Sequence, residues 1–165
     1  MRPDDFAGQG LFTMTHRAGN ALAELLQAKC TALGMSFVVT PSQWVALAWL
    51  EEDNGIPIGT LAHRLDIEAS VTTCIVQRLE QRGLLERVHD HEDRRVVKIF
   101  LTKPGRELVR ALEPVILAFH ERLFRGLSSE EQQAFVGYLH QLMSNVPTSS
   151  GDLLTLLQEL HENPS

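Results

Sequence analysis

Residues 58–83 read IGTLAHRL, then DIE, then ASVTTCIVQRLEQRG: two short helical segments parted by three residues. Apolar side chains recur at helical steps in both. Asp66 is the natural turn residue between them, because aspartate accepts the left-handed conformation better than most residues. Gly83 ends the second segment, where glycine takes that conformation without a steric penalty. On the second helix Val71, Ile75, Leu79 and Arg82 share one sector and are expected to face inward. Ser70, Thr73 and Gln77 cluster on the opposite side, flanked by Cys74 and Arg78, with Glu80 nearby but later in the helix.

The next twenty residues of the chain give this helix pair its meaning. LLERV (84–88) and VVKIFLT (96–102) are rich in β-branched and apolar residues and read as two strands, with the charged stretch HDHEDRR (89–95) as the tip of their hairpin. Two helices joined by a tight turn and trailed by a hairpin make a winged helix-turn-helix, in which the first helix braces the second and the second can enter a major groove. The outward hydroxyls and amide suit base edges and phosphates. A merely solvated face would carry the same residues, and it is the hairpin that favours the first reading.

Working outward, TPSQWVALAWLEED opens a helix with Thr40 as cap, Pro41 at the first position and Gln43 completing a capping box. EDNGIP reads as a turn. Upstream, Leu11, Met14, Ala18, Leu22, Leu25 and Leu33 form one apolar stripe along a long helix. Downstream, Thr102 caps a second long helix with the stripe Leu108, Leu112, Val115/Ile116, Phe119 and Leu123, and Pro114 inside it is expected to kink it. Ser128 with Glu131 starts another helix, and after PTSSG a short apolar segment, DLLTLLQELHE, closes the chain. The fold class is therefore mainly α with a small β-hairpin. A winged helix-turn-helix at 40–103 lies between helical segments 6–34 and 106–146, with a tail at 147–165.

The chain has 165 residues, a net charge of −6 and two cysteines, so one domain with a real core fits and a disulfide framework does not. No apolar run approaches the ~20 residues of a membrane span, and MRPDDFAGQG lacks the features of a secretory signal; a cytoplasmic, reduced setting is expected. Residues 58–106 hold nine of the fifteen Lys/Arg and seven of the twenty-one acids, a local +2 in a chain that is otherwise −8. That is a weak sign of one face built for an anion. No nucleophile motif, metal framework or glycine-rich phosphate loop is present, so no enzyme and no cofactor is expected.

TPSQWVALAWL, LAHRLDIEASVTTCIVQRLEQRGLLER and DRRVVKIFLTKPGRELV together resemble the MarR family of bacterial transcription regulators. The most specific piece is Asp93-x-Arg95, five residues, then Leu101-Thr102, with Gly105 close behind; the resemblance spans about residues 10–145. It implies a homodimer in which the terminal helices interlock and each winged domain binds half of a pseudo-palindromic DNA operator. It also implies that Arg95, beside Arg94, enters the minor groove, where a narrow groove concentrates negative potential, with Asp93 holding its side chain. Thr72, Arg78, Arg64 and Lys98 are the phosphate-contact candidates, ahead of His63 and Arg87.

The resemblance further implies a small aromatic, phenolic or carboxylated effector. Arg17 would pair its carboxylate, His16 or Asn20 orient it, Trp44 stack on it, and Phe37 and Leu47 complete the pocket; the alternative is that Trp44 is a core anchor. Three other readings stand beside this one. His89 and His91 can be taken as half a metal site, though an exposed hairpin tip is poor ground for fixed ligands, and auxiliary phosphate contact suits them better. Some members of the family sense peroxide through a cysteine near the start of the first helix, but Cys30 lies near that helix's end and Cys74 on the reading helix, so two inert thiols are expected. A winged-helix protein–protein module is the remaining rival.

Overall fold

The computed structural model describes residues 7–90, 93–146 and Gln158. The elements run α1 (Ala7–Ala32), α2 (Pro41–Glu52), β1 (Ile56–Pro57), α3 (Ile58–Leu65), α4 (Ala69–Gln81), β2 (Leu85–His89), β3 (Val97–Leu101), α5 (Lys103–Leu123) and α6 (Ser129–Ser144). They fall into two compact units, residues 1–120 and 121–165. None of the described helices is long and apolar enough to cross a membrane.

In the first unit the local signals act as expected. The Gln43 N–H donates to Thr40 Oγ1 (3.3 Å) and the Thr40 N–H to Gln43 Oε1 (3.2 Å), which closes the capping box of α2. Asp66 sits in the left-handed region at φ 51°, ψ 46°, and reverses the chain between α3 and α4. Gly83, at φ 70°, turns the chain from α4 into β2. Thr102 does two jobs: its hydroxyl donates to the Gly83 carbonyl (2.7 Å) and accepts from the Gly105 N–H (3.1 Å), so α5 starts pinned to the turn that ends α4.

The sheet has three strands in the order β1-β3-β2, all antiparallel, with Leu85 opposite Leu101 and His89 opposite Val97. The third strand, β1, is a correction to the reading of EDNGIP as a turn alone. Ile56 pairs with Ile99 and Pro57 with Lys98, Gly55 N–H donates to Ile99 O (3.0 Å), and Asn54 Oδ1 accepts from Leu101 N (2.8 Å). Two residues are too few to show a period of two. Pro57 is tolerated because β1 is an edge strand, where the missing N–H costs no ladder bond.

One core joins these pieces: Leu26 and Cys30 of α1, Ala46, Leu47 and Leu50 of α2, Leu61 of α3, Ile75, Val76 and Leu79 of α4, Ile99 and Leu101 of β3, and Leu108, Leu112 and Ile116 of α5. The inward face of α4 is rotated by about one residue from the expected one. Thr72, Ile75, Val76 and Leu79 are buried, spaced at 3, 1 and 3 residues, while Val71 is exposed. Thr72 can be buried because its hydroxyl donates to the Glu68 carbonyl within the helix (3.1 Å), which satisfies the one polar group a threonine carries. The α1 stripe also divides: Leu22 packs on the core, but Leu11, Met14, Leu25 and Leu33 are exposed. Helix α5 continues through Pro114.

In the second unit α6 opens with a second capping box, Ser128 N–H to Glu131 Oε2 (2.7 Å) and Glu131 N–H to Ser128 Oγ (3.2 Å). The Ser128 backbone N–H, then its hydroxyl, hold the Glu131 carboxyl below its ordinary pKa. The cap therefore gains from ionisation at neutral pH and loses that gain as acid protonates the carboxylate. Phe124 meets Phe135 edge-on at 6.2 Å, and no residue of α6 is buried. The expected tail helix lies outside the described residues, as do His91 and Glu92.

Candidate nucleic-acid interface

The outward face of α4 carries Ser70, Thr73, Cys74, Gln77 and Arg78, all exposed. Ser70 Oγ donates to Glu68 Oε2 (3.2 Å) and Thr73 Oγ1 to the Ala69 carbonyl (2.7 Å), which leaves both oxygens able to accept from a ligand. Thr72 does not join them. It is 0 % exposed and has no surface to offer a phosphate, so it serves the core and not the interface.

Hydrogen bonds among the described residues shape the hairpin tip, including Asp93 N–H to Asp90 Oδ1 (3.2 Å). Asp90 N–H donates to Val96 O and Val96 N–H to Asp93 O, both at 2.9 Å. Arg95 N–H donates to Asp93 Oδ1 (2.9 Å), and His89 Nδ1–H to the Arg94 carbonyl (3.0 Å). Asp93 thus braces Arg95 through the backbone amide, not by gripping its guanidinium as expected from sequence. An aspartate accepting the N–H two residues on is the turn chemistry of that side chain. His89, read from sequence as a half-ligand or a phosphate contact, has its Nδ1 committed to the tip. Among the described residues no three His, Cys, Asp or Glu side chains gather as a metal ion would require.

Apart from Arg82, held by the Val38 carbonyl and Gln43, and Lys103, which faces Glu107, the lysines and arginines of 40–103 divide into two groups. Arg64 pairs with Asp53 (2.5 Å) and also lies over the Trp49 ring (5.3 Å), Arg87 pairs with Glu80 (3.2 Å), and Lys98 with Asp90 (2.6 Å). Arg78, Arg94 and Arg95 are exposed and, among the described residues, have no carboxylate partner. Exposed pairs are worth only about 0–1 kcal/mol, so Arg64 and Lys98 can still exchange their carboxylates for phosphates. The three unpaired arginines need no exchange. His63 is exposed on α3.

Sequence reasoning missed what Arg82 does. Its Nη1 donates to the Val38 carbonyl (2.9 Å) and to Gln43 Oε1 (3.0 Å), and its guanidinium stacks over Phe37 (4.7 Å). The end of α4 is thereby tied to the segment before α2 and to the buried glutamine that caps it. The signal was present: an arginine on the inward edge of a helix has to find acceptors. We expect Arg82→Leu to lower stability by about 1–3 kcal/mol in a urea titration; an unchanged midpoint would show that the tie contributes nothing.

Of the residues expected around an effector, His16, Arg17 and Asn20 are exposed on α1, with Asn20 Nδ2 donating to His16 Nε2 (3.0 Å). Leu47 is wholly enclosed in the core, and Phe37 is half-buried beneath Arg82, so neither presents a free face. Trp44 is largely buried yet lines a cleft of about 220 Å³ together with Val45, Ala48, Trp49 and Glu52. Cys30 is buried in the core and Cys74 is exposed, both as free thiols.

The MarR family model matches residues 39–97, the span from α2 through β2 and the hairpin tip to the first residue of β3. An uncharacterised HTH-type transcriptional regulator of Bacillus subtilis, YsmB, is 30% identical over 121 residues, covering 73% of this chain and 83% of the relative. A MarR family transcriptional regulator from Silicibacter pomeroyi superposes with a TM-score of 0.66 at 28% identity, over 91% of this chain and 99% of its own. BpsR of Bordetella bronchiseptica, whose DNA binding is regulated by 6-hydroxynicotinic acid, superposes with a TM-score of 0.62 at 27% identity, over 82% of this chain and 99% of its own. With the reading helix, the hairpin and the Asp93–Arg95 turn in place, the chain belongs to the MarR family of DNA-binding transcription regulators.

Proposed function

We propose that the protein is a homodimeric repressor that binds a pseudo-palindromic operator, is released from it by a small aromatic ligand, and works by binding alone without catalysing a reaction. The observation that carries this reading is the placement of the unpaired cations: Arg78 on α4 and Arg94 and Arg95 on the hairpin tip. In this reading Ser70, Thr73 and Gln77 reach base edges in the major groove while Arg95 enters the minor groove.

Two faces support the dimer. Helix α1 leaves Leu11, Met14, Leu25 and Leu33 exposed, and α6 exposes Phe135, Val136, Tyr138, Leu142 and Met143. Apolar faces of that extent are what an obligate partner covers, and a second copy is the partner a pseudo-palindrome requires. Ligand control is supported by the likeness to BpsR; Trp44 is the aromatic platform, while His16, Arg17 and Asn20 stand exposed on α1 and do not line its cleft. The effector acts by population shift. It must bind more tightly to a dimer whose two α4 helices are misplaced for major grooves about 34 Å apart.

The test is anisotropy titration of genomic fragments selected by pull-down. Affinity should fall by about 10³–10⁵ between 50 and 200 mM salt if 6–10 phosphates are contacted, and sedimentation should give twice the chain mass. A flat salt response would remove phosphate contact from the mechanism, and a monomer that binds equally well would remove the dimer.

A further inference from the structure

We propose that the cleft on α2 is a binding site for a small aromatic cation, and that Arg64 carries its occupancy to the DNA-reading helices. This rests on the ligand-responsive reading above and names the ligand class that reading leaves open. The walls are the indoles of Trp44 and Trp49 with Val45 and Ala48, and the one charged lining residue is Glu52. Its neighbours are neutralised, Asp53 by Arg64 at 2.5 Å and Glu51 by Arg110 at 3.9 Å, whereas Glu52 has no ion-pair partner among the described residues. An aromatic cleft with one uncompensated carboxylate attracts cations through both the ring faces and the charge. An aromatic acid would set its carboxylate against Glu52, and Arg17 is not among the lining residues. At about 220 Å³ and open along one helix, the cleft has room for a single aromatic ring.

The second half of the inference starts from Trp49, which lines the cleft and also lies beneath the Arg64 guanidinium at 5.3 Å. Arg64 belongs to α3, the helix that packs on α4, and is held to the end of α2 by Asp53. A ligand cation drawn to Trp49 repels the guanidinium already on that ring. It thereby loosens the Arg64 tie, which supplements the shared core of Leu47, Leu50 and Leu61 in holding α3 to the end of α2. Binding and DNA reading then oppose each other, as reciprocal linkage demands.

Trp44 and Trp49 are the only two tryptophans in the chain, so intrinsic fluorescence reports on the cleft directly. The probes are benzyltrimethylammonium and phenylacetate, similar in size and opposite in charge. The cation should change fluorescence saturably and lower operator affinity in anisotropy, while phenylacetate does neither at equal concentration. Glu52→Gln should weaken the cation about fivefold or more and leave operator binding without probe unchanged. If phenylacetate acts and the cation does not, the ligand class is overturned while ligand control stands. If an aromatic acid releases the operator without moving the fluorescence, the cleft is not the site. If no small aromatic releases the operator, the ligand-responsive reading falls as well. If acrylamide cannot reach the tryptophans in the dimer, a second copy covers the cleft and the proposal fails.

Discussion

Gly105→Ala is expected to destabilise the fold although it adds only one methyl group. A Cβ built on Gly105 would stand 2.2 Å from the Leu84 carbonyl oxygen and 2.8 Å from Leu101 Cδ2. The leucine tip can move, but the carbonyl cannot, because it accepts the Thr102 N–H at 3.1 Å and belongs to the turn between α4 and β2. Helix propensity pulls the other way, since alanine is better than glycine in a helix by about 1 kcal/mol. Overpacking against fixed backbone costs about 1–3 kcal/mol or more, so the clash sets the sign. α5 would have to lift from the base of the hairpin, opening the contact that Thr102 closes. A urea titration should show a lower midpoint than wild type. Gly19→Ala, in α1 with nothing within 4 Å of the added carbon, should hold or raise it. A Gly105→Ala protein as stable as wild type would mean that this close approach does not exist in solution.

That prediction was half visible in the sequence, where the spacing from Asp93 and Arg95 to Leu101, Thr102 and Gly105 is fixed. What spacing cannot show is the carbonyl against which the glycine packs. The same division runs through the fold. Capping boxes, the Asp66 turn and the Gly83 stop were legible because each depends on chemistry within four residues of itself. Burial on α4 was misplaced by about one position because Thr72 meets its hydrogen-bonding need inside its own helix and can enter the core as an apolar residue would. Strand β1 was not legible because its partner, β3, lies some forty residues on.

The site was legible on its outward side and much less so on its inward side. Ser70, Thr73, Gln77, Arg78, Arg94 and Arg95 are exposed as expected, since exposure comes from helix geometry and the turn. The effector set fared differently: Leu47 is sealed in the core, and Phe37 is taken by Arg82, a residue 45 positions away in sequence. Trp49 and Glu52, which shape the cleft, were not singled out. All the lining residues lie on α2, at 44, 45, 48, 49 and 52, so helical periodicity could have grouped them; what it could not show is which part of that face stays open.

Arg95→Ala should cost operator affinity without touching the fold. Arg95 is exposed and, among the described residues, makes no side-chain ion pair, so its removal leaves no buried group unsatisfied. Surface changes of that kind usually fall within about 0.5 kcal/mol. A guanidinium in a narrow minor groove is worth far more: at about 1–3 kcal/mol for each contact, counted twice in a dimer, the loss is on the order of 30- to 10⁴-fold. Arg95→Lys keeps the charge but not the planar donor fork, and should recover only part of the loss. The role of Asp93 can be separated in the same titration. Because its carboxylate receives the Arg95 backbone N–H (2.9 Å), Asp93→Asn keeps an acceptor in place and should be mild, whereas Asp93→Ala should loosen the turn and approach the Arg95→Ala loss. Were Asp93 instead gripping the guanidinium, the neutral asparagine would be nearly as harmful as the alanine. Anisotropy with one operator fragment at fixed salt, beside thermal melts and sedimentation of each variant, distinguishes these outcomes. An Arg95→Ala protein that binds as tightly as wild type would take the hairpin out of DNA recognition.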